Sequence, residues 1–393
     1  MKVMDLFCGT GGFSKGFENA GGFEVIYGID VLEVAVETFR LNHPTSLAVA
    51  GDIRAIRLKE VAEKLGIKKQ GVDIIVGGPP CQGFSSIRPF RSSDEDDARN
   101  TLFEEFAAYV NYFRPPVFVM ENVVGLATYK SGSTIEQIQE CFKSLGYETD
   151  WKILNAAHYG VPQKRERLVM IGAQAGIPLR FPSPTHSGEF RTIGIREKGR
   201  RLAPPVDGAP ATLFEPEQDK LPRAVTVMDA IGDLPPVASG EWAHAYTLDP
   251  ANDFQAARRR NSESLEWHVS TAHSERMLEI IRHSGSNISS IPAHLISSGF
   301  SSCYSRLEPD EPAVTITVNF VHPASNKCIH PVQDRALTLR EGARLQSYDD
   351  DFKFAGGRMR IAKQIGNAVP PLLGQAIASS VLDMMGAQRR GAA

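Results

Sequence analysis

Cys81 stands in Gly77-Gly78-Pro79-Pro80-Cys81-Gln82-Gly83-Phe84-Ser85, directly after the apolar run Val72 to Val76. Each proline fixes its own φ near about −65° and drives the residue before it out of the helical region, so the thiol rides on a stiff turn at a strand end. A free thiol has a pKa of about 8.5, so a nucleophilic sulfur at neutral pH calls for a charged or basic neighbour. The cations of Gln163-Lys164-Arg165-Glu166-Arg167 are candidates for that neighbour, and Glu121, in Met120-Glu121-Asn122-Val123 after the apolar run Pro116 to Met120, is a candidate acid. Alone, each has a commoner explanation: an inert core cysteine, an ion-paired glutamate, solvated arginines. Together they form a set suited to covalent catalysis, with a nucleophile, an acid and permanent positive charge.

A second constellation opens the chain. Asp5-Leu6-Phe7-Cys8-Gly9-Thr10-Gly11-Gly12-Phe13-Ser14 reads as a strand, a glycine-rich turn that lets a ligand approach the backbone, and a helix capped by Ser14. It lacks the Gly-Lys-Ser/Thr ending of a triphosphate loop. About twenty residues on, Asp30 closes the second strand where a ribose hydroxyl acceptor is expected, and Asp52 closes the third. Singly, either aspartate is as well explained as a helix cap.

The elements that must position these groups are short β-rich runs alternating with helical patterns: Val3 to Phe7, Glu24 to Ile29, Leu47 to Ala50, Val72 to Val76, Pro116 to Met120, Trp151 to Asn155 and Arg167 to Gly172. This alternation predicts an α/β fold with a doubly wound, mostly parallel Rossmann-like sheet, which binds ligands beyond the carboxyl ends of its strands. The pattern stops at Phe181-Pro182-Ser183-Pro184, where a stretch rich in Pro, Gly and Ser begins, with strands expected at Ala313 to Phe320. Three segments follow: a catalytic and cofactor-binding domain over 1–182, a smaller loop-rich domain over 183–355, and 356–393 returning to the first through a helix at Leu372 to Met385.

With 393 residues, 42% hydrophobic and 23% charged, the chain has the composition of a soluble globular protein. No apolar run approaches the roughly 18 residues of a membrane span, and Met1-Lys2-Val3 enters a strand pattern at once, so no signal peptide or membrane partner is expected and the location is cytoplasmic, on the nucleoid. Five scattered cysteines, without zinc-site spacing, read as reduced thiols and no metal. A net charge of −3 confines any nucleic-acid surface to local patches, with Arg196 to Arg201 and Arg258-Arg259-Arg260 as candidates.

The Pro-Pro-Cys turn and the Glu-Asn-Val segment resemble the motifs of DNA (cytosine-5) methyltransferases of the bacterial restriction-modification type. The family's ordered blocks recur from Asp5 to Pro371, leaving Ser183 to Pro331 without a shared pattern. The resemblance implies the S-adenosylmethionine-dependent methyltransferase fold with a target-recognition domain over 183–355, double-stranded DNA as partner, and S-adenosylhomocysteine as by-product. Cys81 would add to cytosine C6, Glu121 would grip N3 and N4, Arg165 would lie nearest the base and Arg167 would organise the catalytic loop. Cofactor contacts would come from Phe7, Gly9, Thr10, Gly12, Asp30, Val31, Asp52, Ile53, Pro80 and Leu102, completed by Asn367 and Ala368. DNA contacts would come from Gln82, Ser85, Arg88 and Arg306, with the base flipped out of the duplex. The Arg335 to Ser347 block would organise the second domain, making its charges structural. A monomer is expected, beside a separately acting cognate restriction endonuclease.

Two other readings share parts of this pattern. A tRNA cytosine-5 methyltransferase carries the same two blocks, with a Cys-Phe-Thr signature absent here. A catalytically idle DNA-binding regulator would keep the scaffold but has no chemical need for Cys81, Glu121 and Arg165 together. A hydride-transferring Rossmann enzyme would explain the glycine turn and leave Pro-Pro-Cys unused.

Overall fold

The computed structural model describes residues 1–80, 102–190, 196–197, 200–201, 221–296 and 299–391. It divides into two compact units, one of Met1–Asn155, Glu166–Pro222 and Leu373–Ala393, the other of Ala156–Arg165 and Arg223–Leu372. These borders differ from the expected 182/183 and 355/356. The ten residues Ala156–Arg165 leave the first unit for the second, so Arg165 and Arg167 fall in different units.

The first unit is built on strands β1 (Lys2–Leu6), β2 (Glu24–Asp30), β3 (Leu47–Ala50), β4 (Ile74–Gly77), β5 (Val117–Asn122), β6 (Tyr147–Asn155) and β7 (Glu166–Gln174). They form one sheet in the order β3-β2-β1-β4-β5-β7-β6. β1 to β5 pair in parallel, while β7 runs antiparallel to both β5 and β6. The central strands carry Ile74, Ile75 and Val76 beside Val117, Phe118 and Val119, all fully buried, which is why they read as unbroken apolar runs. Close packing fixes two glycines: a Cβ on Gly77 would come within 2.2 Å of the Leu6 carbonyl, and one on Gly172 within 2.1 Å of the Phe118 ring across the β5–β7 pair. Helices α1 (Gly12–Ala20), α2 (Glu33–Asn42), α3 (Leu58–Lys64), α4 (Leu102–Phe113) and α5 (Ser133–Ser144) occupy the connections between strands.

The second unit holds α6 (Val227–Ile231), α7 (Asp253–Arg259), α8 (Glu275–Arg282), α9 (Leu339–Leu345) and α10 (Arg358–Asn367). Its strands are two or three residues long; of the expected run from Ala313 to Phe320, only Ala313–Val314 pairs, parallel to Gln163–Lys164. Its core joins Val227, Ile231, Phe320, Leu337, Tyr348, Phe352 and Ile361. Buried charges thread the same unit: Arg335 pairs with Glu341 at 2.6 Å, and Arg344 with Asp233 at 3.0 Å and Asp350 at 2.6 Å.

Helix α11 (Pro371–Gly391) follows. By length and composition Arg358–Gly386 is long and apolar enough to cross a membrane, a test that the buried core helix of a soluble protein also passes. Pro370 and Pro371 interrupt it, and Leu373, Ile377, Ala378 and Val381 are buried.

Candidate active site

Parallel strands bring their carboxyl ends to one edge, and an antiparallel strand delivers its amino end there. β5 ends at Glu121-Asn122 and β7 begins at Glu166-Arg167, with Glu121 opposite Val169 and Asn122 opposite Leu168. Arg167 is therefore adjacent to the end of β5, and its Nε lies 2.7 Å from Glu121 Oε1, with both side chains about one-seventh exposed, at 14% and 13%. Burial pulls the guanidinium below its ordinary pKa, while the charge and hydrogen bond of Glu121 oppose that. The carboxylate also faces the residue after β4: a Cβ on Gly78 would stand 2.9 Å from Glu121 Oε2, so a side chain where the Pro-Pro turn begins would push the carboxylate aside. Asn122 Nδ2 donates to the Pro79 carbonyl at 3.0 Å, tying the same turn to β5. Asn122 was visible in the Glu-Asn-Val segment, but its anchoring role was not.

The glycine turn lies beyond β1, which neighbours β4. Phe7 has φ 61°, a left-handed conformation rare for an aromatic residue and a mark of a functional turn, and Gly9 and Gly11 follow at 52° and 85°. A Cβ on Gly9 would meet nothing within 4 Å, so open space lies over this backbone. Thr10 and Gly12 are buried in the turn and the first residue of α1. Asp30 accepts the Gly9 N–H at 3.0 Å and the Leu32 N–H at 2.9 Å. Burial pushes its carboxyl up, and these N–H groups hold it back. Val31 beside it is 69% exposed, an apolar ledge next to the carboxylate. Asp52 is gripped by Arg54, with Nε at 2.9 Å and Nη2 at 2.5 Å, and those hydrogen bonds hold its carboxyl down at about 2. Ile53 is buried behind it, Leu102 starts α4 against the core, and Pro80 is half-buried after β4.

Ser14 does not cap α1, as expected from its position. The helix begins at Gly12 with Gly11 as cap, and the buried Ser14 hydroxyl donates to Asp5 Oδ2 at 2.6 Å. Burial pushes the Asp5 carboxyl up to about 7; Ser14 works against this and the Asp30 charge with it. An acid whose folded pKa exceeds its unfolded value of about 3.9 takes up a proton on folding, so its contribution is most favourable below pH 4 and is lost as pH rises to about 7. Asp5→Asn keeps an acceptor for Ser14 and removes the titration. In urea denaturation without ligand, the variant should shed a stability decline between pH 5 and pH 8 of on the order of a few kcal/mol. Parallel pH profiles for the two proteins would contradict this account.

Several expected residues lie elsewhere. Cys81, Gln82, Ser85 and Arg88 fall outside the described residues. Burial pushes the thiols of Cys8, Cys141 and Cys328 up, the opposite of what a nucleophile needs. Arg165, expected nearest the base, is buried in the second unit, where Nη1 donates to the Ile316 carbonyl at 3.2 Å and Nη2 to the Gly366 carbonyl at 3.0 Å. It thus braces the end of α10, where Asn367 is the last residue and Ala368 the cap. The arginine that meets Glu121 is Arg167.

Arg306, expected on DNA, spends all five N–H donors inside the second unit, on the carbonyls of Ser284, His330, Gln333 and Ile281 and on the Asp334 carboxylate. Of the basic run at Arg258, Arg258 is buried and donates to the Ser347 carbonyl at 2.7 Å, while Arg259 pairs with Asp233 and lies 3.8 Å over the Tyr246 ring. Both are framework residues. The Arg196 to Arg201 stretch contributes a short antiparallel strand pair.

Residues 1–383 match the sequence profile of the C-5 cytosine-specific DNA methylases. The chain is 37% identical to the type II methyltransferase M1.HphI of Haemophilus parahaemolyticus, over 98% of its own length and 87% of that protein's. It is 31% identical to the type II methyltransferase M.AgeI of Thalassovita gelatinovora, over 97% and 99%. Among solved structures it resembles a putative DNA modification methyltransferase encoded within an E. coli prophage, with a TM-score of 0.74 and 25% identity over 98% and 99% of the two chains. The S. pombe Dnmt2 methyltransferase shares the fold, with a TM-score of 0.57 at 15% identity over 98% and 99%.

Proposed function

Because the chain belongs to the C-5 cytosine-specific DNA methylases, we propose that it methylates C5 of one cytosine in a specific double-stranded DNA sequence through a covalent bond between Cys81 and C6. The carrying observation is the Glu121–Arg167 pair set against Gly78 at the root of the Pro-Pro-Cys turn. A cytosine ring resists electrophiles at C5 until a nucleophile has added at C6. Addition by the Cys81 thiolate moves an electron pair toward N3 and O2, where the Glu121 carboxyl group shares a proton with N3 and accepts from the N4 amine. Arg167 holds that carboxyl in place and takes the role nearest the base that the sequence had suggested for Arg165. Once C5 carries the methyl group, transfer of the C5 proton to water returns its electron pair to the ring, re-forms the C5–C6 double bond and expels Cys81 as its thiolate. Inside a duplex neither edge of the ring could be gripped this way, so the base is extruded, at a cost of about a few kcal/mol.

The open space over Gly9 and the acceptor Asp30 beside it suit S-adenosylmethionine. In this reading Phe7, Gly9, Thr10 and Gly12 line it, Asp30 and Val31 take the ribose side, and Asp52, Ile53, Pro80 and Leu102 the adenine side. The bound cofactor supplies an electrophilic methyl group and leaves as S-adenosylhomocysteine. The protein would work in the cytoplasm as a monomer, with any cognate endonuclease acting separately. The test is methyl transfer from labelled cofactor to duplex DNA and to tRNA, followed by bisulfite sequencing of DNA from a host expressing the chain. One protected cytosine in a fixed motif is expected; label in tRNA alone would refute the reading.

A further inference from the structure

The glycine turn is held from behind by a histidine that the proposed chemistry does not use. His43 caps the end of α2, its side chain wholly buried. Its Nε2 lies 3.2 Å from the Gly11 carbonyl oxygen, and its Nδ1 lies 2.9 Å from Glu18 Oε1 on α1. A carbonyl can only accept, so Nε2 carries the proton of that bond. The ring stacks at a tilt on Phe39, 4.5 Å between centroids. Together they fill the space beneath the turn: a Cβ on Gly11 would stand 2.5 Å from His43 Nε2 and 2.9 Å from the Phe39 ring. The same phenyl ring would meet a Cβ on Gly28 of β2 at 2.5 Å.

The turn is thus pinned on its protein side at three points. Cys8 N–H donates to the Ile29 carbonyl at 2.9 Å, Gly9 N–H to Asp30, and the Gly11 carbonyl accepts from both Lys15 N–H and His43. A trans peptide is planar, with its C=O and N–H pointing opposite ways. Fixing the Gly11 oxygen toward His43 therefore aims the Gly12 N–H away from it. That N–H belongs to the first residue of α1, whose leading amides lack intrahelical acceptors.

We propose that His43 is the positioning residue of the cofactor turn: its Nε2–H sets the Gly11–Gly12 peptide, and Glu18, from α1, aims the ring. This rests on the reading of Phe7–Gly12 as the S-adenosylmethionine site. Two substitutions divide the ring's contacts, because a glutamine amide nitrogen reaches as far as Nε2 and an asparagine amide nitrogen only as far as Nδ1. His43→Gln keeps the donor to Gly11; His43→Asn keeps the contact to Glu18.

Calorimetric Kd values for S-adenosylmethionine, with melting temperatures measured without ligand, decide the matter. The asparagine variant should bind about tenfold more weakly and the glutamine variant within about threefold of wild type, the span of one hydrogen bond, while both melt at similar temperatures. Should both weaken alike, or neither, only packing is at work and the proposal falls. Failure of the wild-type protein to bind would instead overturn the cofactor reading, and this inference with it. If the asparagine variant does not fold, Glu18→Ala carries the test from a partly exposed position: a severalfold weaker Kd supports the aiming role and an unchanged one removes it.

Discussion

Cys81→Ala should lower the methylation rate by on the order of four or more powers of ten, as removal of a covalent nucleophile does elsewhere, while leaving the affinity for S-adenosylmethionine nearly unchanged. The asymmetry follows from the sheet. The glycine turn, Asp30 and Asp52 lie at or just beyond the ends of β1, β2 and β3, whereas Cys81 follows β4 in the sequence, after Gly78 and Pro79, which meet the end of β5. Removing one sulfur atom takes away the bond to C6 while every residue proposed to line the cofactor keeps its side chain. A duplex carrying 5-fluorocytosine at the target position offers a direct readout. Fluorine on C5 cannot leave as the proton does, so the ring stays bonded to sulfur, and wild-type protein should form a complex that survives denaturant. The alanine variant should form none. Ordinary turnover by that variant, or an adduct mapping to Cys8, Cys141, Cys303 or Cys328, would end the covalent scheme.

How far the sequence disclosed this arrangement depended on the kind of force that fixes each part. The sheet was legible because strands buried on both faces must be apolar throughout, and Ile74 to Val76 and Val117 to Met120 say so without help from distant residues. The glycine turn and its aspartates were legible for a related reason, since backbone conformation at Gly9 and Gly11 restricts residue type locally. The choice between Arg165 and Arg167 was not. They stand two apart and would share a face of one continuous strand, but the chain bends between Gln163–Lys164 and β7, where Arg165 N–H turns back to the Gln163 carbonyl. Nothing in Gln-Lys-Arg-Glu-Arg marks that bend. Arg306 and Arg258 misled for another reason: a cation in a loop-rich stretch looks solvated until the carbonyls that receive it are known, and those come from residues 22 to 89 positions away. The cap was misplaced by three residues, at Ser14 instead of Gly11, because glycine caps a helix without leaving a side-chain signal.

The second unit's dependence on such distant partners makes its stability sensitive to one residue. Arg344 is fully buried on α9, and its guanidinium spans Asp233 and Asp350 and donates to the Ala230 carbonyl at 2.8 Å. Burial alone would raise the Asp350 carboxyl, but hydrogen bonds and charge from Arg344, with help from Arg340 and Tyr246, hold it below its ordinary value. Arg344→Met fills much of the volume and leaves both carboxylates without their shared cation. Breaking a buried pair from one side costs about 3–5 kcal/mol, so the urea midpoint at pH 8 should fall accordingly. The sign with pH is fixed by the same geometry. In the wild-type protein the depressed Asp350 contributes stability above its unfolded pKa, lost as pH falls through the folded value. In the variant burial is opposed less, the folded pKa of Asp350 rises, and protonation relieves the buried charge, so the deficit should shrink between pH 8 and pH 4. Adding Asp350→Asn to the methionine variant should recover part of the loss at pH 8, the coupling expected of residues in one network. A deficit that stays constant across this range and is unmoved by the second substitution would mean that the lost stability comes from side-chain volume, with the buried charges already compensated by Arg340 and Arg259.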